Sequence, residues 1–389
     1  MMNFEKSQRL KRLPPYLFVE IDKAKSKARN EGRDIIDLGV GDPDIPTPKF
    51  IQDALNKAVR DPSTHRYSLD QGIPEFRNAA ARWLKVRFGI TMDADSQIYP
   101  LIGSKEGIAH IPLAFINAGD AVLVPDPCYP PYRSGTIFAG GEIIHMPLLE
   151  SNRFLPDLKA INHHLLHKAK MIFINYPNNP TAAVCDRKFL QNVVEFAKKH
   201  KLIVCSDAAY SEITFDGYRA PSIFEVDGAG EVAVEFHSLS KTFNMTGWRI
   251  GFACGNAGII EGLAKVKSNI DSGIFSAIQR AGAVALDNYD RHIKSVIKVY
   301  EERRNILVDG LNSVGLKVER PKATFYVWAK VPQRYTSATF AKALLENCDI
   351  VATPGNGFGD HGEGYVRFAV TVDKKRIMEA VERIRKRLG

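Results

Sequence analysis

From residue 121 onward the chain alternates short β-branched runs with amphipathic stretches. The apolar runs at 121–124, 142–145, 171–174, 202–205, 232–236 and 250–253 predict strands, and helices at about 157–167 and 187–199 separate some of them. In the second of these helices Phe189, Leu190, Val193, Val194 and Ala197 recur at helical spacing. Upstream, 97–101 predicts a strand, while 20–30, 48–60, 74–88 and 108–116 predict helices. Residues 13–18 read as an extended arm, and 34–44 as a short strand that breaks into a Gly/Pro turn. Such alternation predicts an α/β fold whose mostly parallel sheet is covered on both faces by helices. Past Gly255 the pattern turns helical, with a long amphipathic helix at about 291–311. Short strands at 318–319, 325–329, 350–353 and 365–370 and a closing helix at 374–387 then predict a small α+β domain. The expected division is an arm with the first part of the small domain over 1–45, a large domain over 46–290, and the rest of the small domain over 291–389.

Composition narrows the partners. The formal charge of +9 is spread over 389 residues, and the densest basic runs (198–201 and 374–387) read as solvated helix faces, which argues against nucleic acid. Five scattered cysteines, with no C-x-x-C pair, fit neither a disulfide framework nor a zinc site and suit a reducing compartment. His163, His164 and His167 have helical metal-ligand spacing, but no nearby carboxylate or cysteine completes a set, so no metal is expected. With neither an apolar leader nor a membrane-length apolar run, the expectation is a cytoplasmic protein.

Ligands of open α/β sheets bind beyond the carboxyl ends of the strands. There the chain places Asp126-Pro127-Cys128-Tyr129, Asn175-Tyr176-Pro177-Asn178-Asn179-Pro180-Thr181, Ser206-Asp207-Ala208-Ala209-Tyr210 and Ser238-Leu239-Ser240-Lys241. Each alone reads as a turn or cap. Together they align an acid, a phenol, an amide, an aromatic ring and a lysine along one edge. A lysine whose pKa is lowered by its surroundings can condense with an aldehyde. Hydroxyls with a guanidinium, here Ser238, Ser240 and Arg249, suit a phosphate. Gly103-Ser104-Lys105 at a helix start is a second anion-binding element, or an ordinary cap. A lysine, an acid, a phenol and a phosphate cradle together describe a site for pyridoxal 5′-phosphate. Arg367, in Gly364-Tyr365-Val366-Arg367-Phe368, is the candidate for a substrate carboxylate, or else a surface ion pair.

Asn179-Pro180-Thr181, Asp207-x-Ala209-Tyr210, Ser238-x-Ser240-Lys241, Gly247-x-Arg249 and Arg367, in this order and spacing, resemble the class I/II aminotransferases of PLP fold type I over essentially the whole chain. The resemblance implies that Lys241 binds the cofactor aldehyde covalently and then moves protons, and that Asp207 faces the pyridine nitrogen. It implies that Asn179 and Tyr210 contact the ring oxygen, and that Tyr129 and Ala209 cover the two ring faces. Gly103, Ser104, Lys105, Ser238, Ser240 and Arg249 would surround the phosphate, joined by the partner subunit's Tyr67 in a homodimer with shared sites. On this resemblance Lys241, Asp207 and Tyr210 would be the catalytic set, and Gly41, Asn179 and Arg367 would line the substrate side.

More narrowly, Leu13-Pro14-Pro15-Tyr16-Leu17-Phe18, Gly103-Ser104-Lys105-Glu106-Gly107 and the 267–275 segment resemble the LL-diaminopimelate aminotransferase subgroup. That subgroup forms LL-diaminopimelate from tetrahydrodipicolinate and glutamate in lysine and peptidoglycan synthesis. There Tyr16, with Asp70 and Asn269 of the partner subunit, would hold the distal end of the substrate. Asp70 stands where the subgroup commonly has glutamate, and its side chain is shorter by one methylene. The alternatives are an aminotransferase for alanine, aspartate or aromatic amino acids, a C–S β-lyase on the same scaffold, or a binding protein without turnover.

Overall fold

The β-branched runs form one sheet, and the order of its strands explains why their ends meet. The computed structural model describes residues 4–14, 17–68 and 71–388, for 17–20 the backbone alone. Its strands are β1 (Ile36–Asp37), β2 (Ile98–Leu101), β3 (Ala121–Asp126), β4 (Glu142–Pro147), β5 (Ala169–Asn175), β6 (Ile203–Asp207), β7 (Ala233–Ser238), β8 (Gly251–Gly255), β9 (Tyr326–Lys330), β10 (Ile350–Val351), β11 (Thr353–Pro354) and β12 (Tyr365–Ala369). Seven of them make a sheet in the order β2-β8-β7-β6-β5-β3-β4. The run from β7 to β4 is parallel, while β8 pairs antiparallel with both β7 and β2.

Residues along the central strands are buried on both faces, as a sheet with helices on either side requires. On β5, Ile172 and Ile174 join the core that holds Leu190, Val193 and Val194 of helix Arg187–His200. Met171 and Phe173 point the other way, into the core that holds Ile108 and Ile111 of helix Ser104–Phe115 and Leu263 of helix Ala257–Ser268. A third core packs helix Pro74–Phe88 onto β8, with Phe76 and Trp83 edge-on to Phe252.

A smaller antiparallel sheet, β11-β12-β9, and the parallel pair β1-β10 share a separate core with helices Ile293–Ser313, Ser337–Cys348 and Lys374–Arg387. Tyr210, Ile213 and Phe215, from the loop after β6, reach into that core. Among the described residues, no helix is long and apolar enough to cross a membrane. All five cysteines are buried thiols.

Three sequence expectations are corrected. The 157–167 stretch is helical only over His163–Leu166, because Asp157 and Asn162 turn the chain by accepting from the N–H groups of Lys159 and His164. Residues 318–319 form no strand, since the Asn312 amide takes both backbone groups of Val318 at 3.0 and 3.1 Å. The 350–353 run divides, with Ile350–Val351 on β1 and Thr353–Pro354 on β12. The arm also holds one helical turn, Gln8–Lys11, capped by Ser7.

Phe76 is fully buried where helix Pro74–Phe88 meets β8. Its replacement by Ala is expected to cost about 3–5 kcal/mol, read as a lowered midpoint in chemical denaturation; a cost below about 1 kcal/mol would show that this contact does not anchor the helix.

Candidate active site

The carboxyl ends of β5, β6 and β7 lie side by side, with Asn175 opposite Asp207 and Asp207 opposite Phe236. Asp207 is 3% exposed. The Tyr132 hydroxyl donates to its Oδ2 at 2.6 Å, and the Ala209 N–H donates to its Oδ1 at 3.1 Å. Burial pushes the carboxyl up to about 6, while those two donors and the His237 ring pull it back. Asn175 fixes the neighbouring loop by donating to the Asp207 carbonyl at 2.7 Å and accepting from the Asn179 N–H at 2.8 Å. Asn178 then closes the turn through the N–H and hydroxyl of Thr181.

β7 runs into a single helical turn, Leu239–Thr242, that carries Ser240 and Lys241. Lys241 Nζ donates to the Gly41 carbonyl at 3.1 Å and lies 5.6 Å from the Phe325 ring centre. Burial lowers its pKa to about 8, opposed by Asp42 and Asp207 and assisted by Arg249 and Arg367. A useful fraction of the amine is therefore neutral near physiological pH. The approach of the Gly41 backbone depends on its missing side chain, because a Cβ there would overlap the Tyr326 hydroxyl.

Tyr210 shares a 2.9 Å hydrogen bond with that Tyr326 hydroxyl, and burial raises its pKa well above that of a free phenol. Arg367 is 1% exposed on β12. Its Nη1 donates to Asn179 Oδ1 at 2.7 Å and its Nη2 to the Gly39 carbonyl at 2.8 Å. The guanidinium lies over the Tyr326 ring at 4.1 Å and the Phe358 ring at 4.7 Å. It is thus a buried group at the meeting of the two sheets, and the surface ion-pair alternative is excluded.

Gly103 precedes helix Ser104–Phe115 with a φ of 72°, and a Cβ there would run into the Arg249 guanidinium. Arg249, exposed, donates to the carbonyls of Thr246 and Ile102 at 2.9 and 3.4 Å. Ser104, Ser238 and Ser240 are buried, and Lys105 is exposed. The arrangement thus offers helix N–H groups, hydroxyls and cations suited to an anion. Tyr129 is half-buried, edge-on to Tyr132 at 5.8 Å, and Ala209 is buried in the loop after Asp207.

Two expected site residues stand apart from this cluster. Tyr67 is 82% exposed, and Asn269 is on the surface with its amide donating to the Lys265 carbonyl at 2.8 Å. Tyr16 and Asp70 lie outside the described residues. Sequence reasoning missed Tyr132, Tyr326 and Asn175. The available signals were faint: a second tyrosine three positions beyond Tyr129, a phenol inside an apolar strand, and an amide on the last residue of β5.

Residues 33–384 match the family described as aminotransferase class I and II. The chain is 54% identical to LL-diaminopimelate aminotransferase of Moorella thermoacetica, over 99% of each chain. It is 55% identical to the enzyme of that name from Syntrophobacter fumaroxidans, again over 99% of both. Among solved structures, substrate-bound BacF from Bacillus subtilis superposes with a TM-score of 0.95 at 37% identity, covering 99% of this chain and 98% of that one.

The lowered amine pKa gives a stability test. Folding disfavours the charged form of Lys241, so its ammonium destabilises the ligand-free fold below about 8, and the penalty fades as pH rises toward 10.5. Lys241→Met is therefore expected to unfold at higher temperature than the parent at neutral pH, with the gap closing between about 8 and 10.5. Thermal unfolding at several pH values checks this, and a gap that stays constant across that window would contradict it.

Proposed function

The chain belongs to the aminotransferase class I and II family, and we propose that it uses pyridoxal 5′-phosphate to move an amino group from LL-diaminopimelate to 2-oxoglutarate, giving tetrahydrodipicolinate and glutamate, or the reverse. The observation that carries the choice of amino acid is whole-length likeness to relatives bearing that name in several bacteria. The donor set fits the cofactor: a buried carboxylate for a ring N–H, an amide and a phenol beside it, an amine of lowered pKa, and an anion cradle at a helix start.

When bound, the cofactor supplies an electron sink that acidifies the substrate Cα–H. Asp207, kept anionic at neutral pH by the Tyr132 and Ala209 donors, holds a proton on the ring nitrogen. Asn179 and Tyr210 orient the ring oxygen. Lys241 Nζ would take the proton from the substrate Cα as a general base and then give it up as a general acid. Arg367 binds the α-carboxylate in a forked, desolvated contact. Gly103, Ser104, Lys105, Ser238, Ser240 and Arg249 hold the phosphate, and Tyr129 and Ala209 cover the ring faces. In this reading the active unit is a cytoplasmic homodimer, to which the partner subunit's Tyr67, Asp70 and Asn269 contribute, with Tyr16 and Gly41 completing the substrate side. Residues 46–290 are the cofactor-binding domain, and 1–45 with 291–389 the smaller one.

Half-reaction spectra with a panel of amino acids test the substrate. LL-diaminopimelate is expected to convert the bound aldehyde to its amine form faster than aspartate, alanine or phenylalanine; conversion by one of those alone would refute the assignment. Lys241→Ala is expected to fold and bind the cofactor while losing turnover, and appreciable steady-state activity would remove Lys241 from its role. Arg367→Ala should raise KM for every α-carboxylate substrate by about 10- to 100-fold, as expected for a lost charged hydrogen bond. An effect confined to one substrate would assign Arg367 to the distal end.

A further inference from the structure

Lys267 is a charged side chain, 1% exposed, that the proposed chemistry does not use. It stands in the last turn of helix Ala257–Ser268. Its Nζ lies 3.1 and 3.2 Å from the two Glu106 oxygens and 2.6 and 2.7 Å from those of Asp271. Glu106, in the first turn of helix Ser104–Phe115, accepts the Ile102 N–H at 2.7 Å, so its carboxylate holds the residue just before Gly103. The same turn is gripped from the other side by Arg249, through the Ile102 carbonyl. His110 Nδ1 sits 3.3 Å from Glu106 Oε1. Asp271, in turn, accepts the Gly273 N–H at 2.7 Å and so shapes the segment that begins at Asn269. From there the Ile274 carbonyl accepts from Ser68 and Gln279, and Gln279 accepts from the Ile73 N–H.

A carboxylate beneath a phosphate-binding turn presents a conflict. Glu106 is needed as an acceptor for Ile102, yet its charge repels an anion seated on the helix start a few residues away. A buried ammonium resolves it by neutralising the carboxylate without displacing the hydrogen bond. We propose that Lys267 is a positioning residue: it lets Glu106 shape the 102–104 turn without repelling a phosphate, and it ties that turn to the 269–275 segment. The inference rests on the cofactor reading above and adds to it a residue whose effect is specific to the phosphate.

The test is titration of the ligand-free full-length chain with pyridoxal 5′-phosphate and, separately, with pyridoxal, which lacks the phosphate. Lys267→Met is expected to weaken pyridoxal 5′-phosphate about tenfold, in line with an unneutralised buried charge, and to change pyridoxal less than about twofold. Two double variants carry the same net charge and separate position from stability. Lys267→Met with Glu106→Gln keeps an acceptor for Ile102 and is expected to bind the phosphate form within about threefold of the parent. Lys267→Met with Asp271→Asn leaves the Glu106 charge in place and is expected to remain weak. The pair decides the matter even if the single variant does not fold. Equal weakening of both aldehydes, or equal phosphate affinity in the two double variants, would overturn the proposal. Failure of the parent chain to bind pyridoxal 5′-phosphate would overturn the cofactor reading, and this inference with it.

Discussion

Desolvation of charge at one sheet edge is the constraint on which the rest of this structure depends. Asp207, Lys241 and Arg367 are drawn out of water together, and burial shifts each toward its neutral form. Left unsupported, such groups would neutralise or draw in water. The surrounding structure supplies the donors and acceptors that prevent this: Tyr132 and Ala209 for the carboxylate, the Gly41 carbonyl for the amine, and Asn179 and the Gly39 carbonyl for the guanidinium. The result is a carboxylate still mostly ionised near neutrality and an amine already partly deprotonated. That is the pairing a proton-transfer site requires.

Parallel strand order makes that support possible. Because β5, β6 and β7 run the same way, Asn175, Asp207 and Ser238 emerge on one edge, where the chain leaves the strands into loops or, after Ser238, a helical turn. Asn175 then serves two loops at once, holding the Asp207 carbonyl and the Asn179 N–H. The functional side chains can be precise because their backbone is fixed by buried amides, a firmer arrangement than loops held by solvent-exposed contacts.

The large-scale pattern was legible because it follows from simple periodicities. The six runs beyond residue 121 became strands within a few positions, and helices at Pro74–Phe88 and Lys374–Arg387 have the boundaries the pattern predicts. The placing of Asp207 and Lys241 at one sheet edge was legible for the same reason, since each lies at or just past the end of an apolar run. What stayed hidden depends on contacts between distant segments. Tyr132 meets Asp207 across 75 positions, and Tyr326 meets Tyr210 across 116. In each case an aromatic residue in an apolar context reads as core, and only its hydroxyl partner separates the two meanings. Residues 318–319 failed for the opposite reason, since one amide side chain satisfied the backbone groups that a neighbouring strand would have taken.

The segment 38–44 shows how the two parts of the fold are held to a common geometry. On the small-sheet side, Leu38 accepts from the Ala369 N–H, Gly39 from Thr353 and Arg367, and Val40 from Thr371. A two-point ion pair from Arg303 on helix Ile293–Ser313 holds Asp44, at 2.6 and 2.9 Å. On the large-sheet side the segment is touched by Lys241, through Gly41. The amine therefore reports on the position of the small core through one carbonyl, and the guanidinium on β12 reports on the large sheet through Asn179. Because each part of the molecule contributes a hydrogen-bond partner to a charge carried by the other, a displacement of either core would break a contact at both charged groups. The chemistry of the site and the docking of the two cores are in this sense one interaction, which is why the residues that carry it are drawn from positions as far apart as 39 and 367.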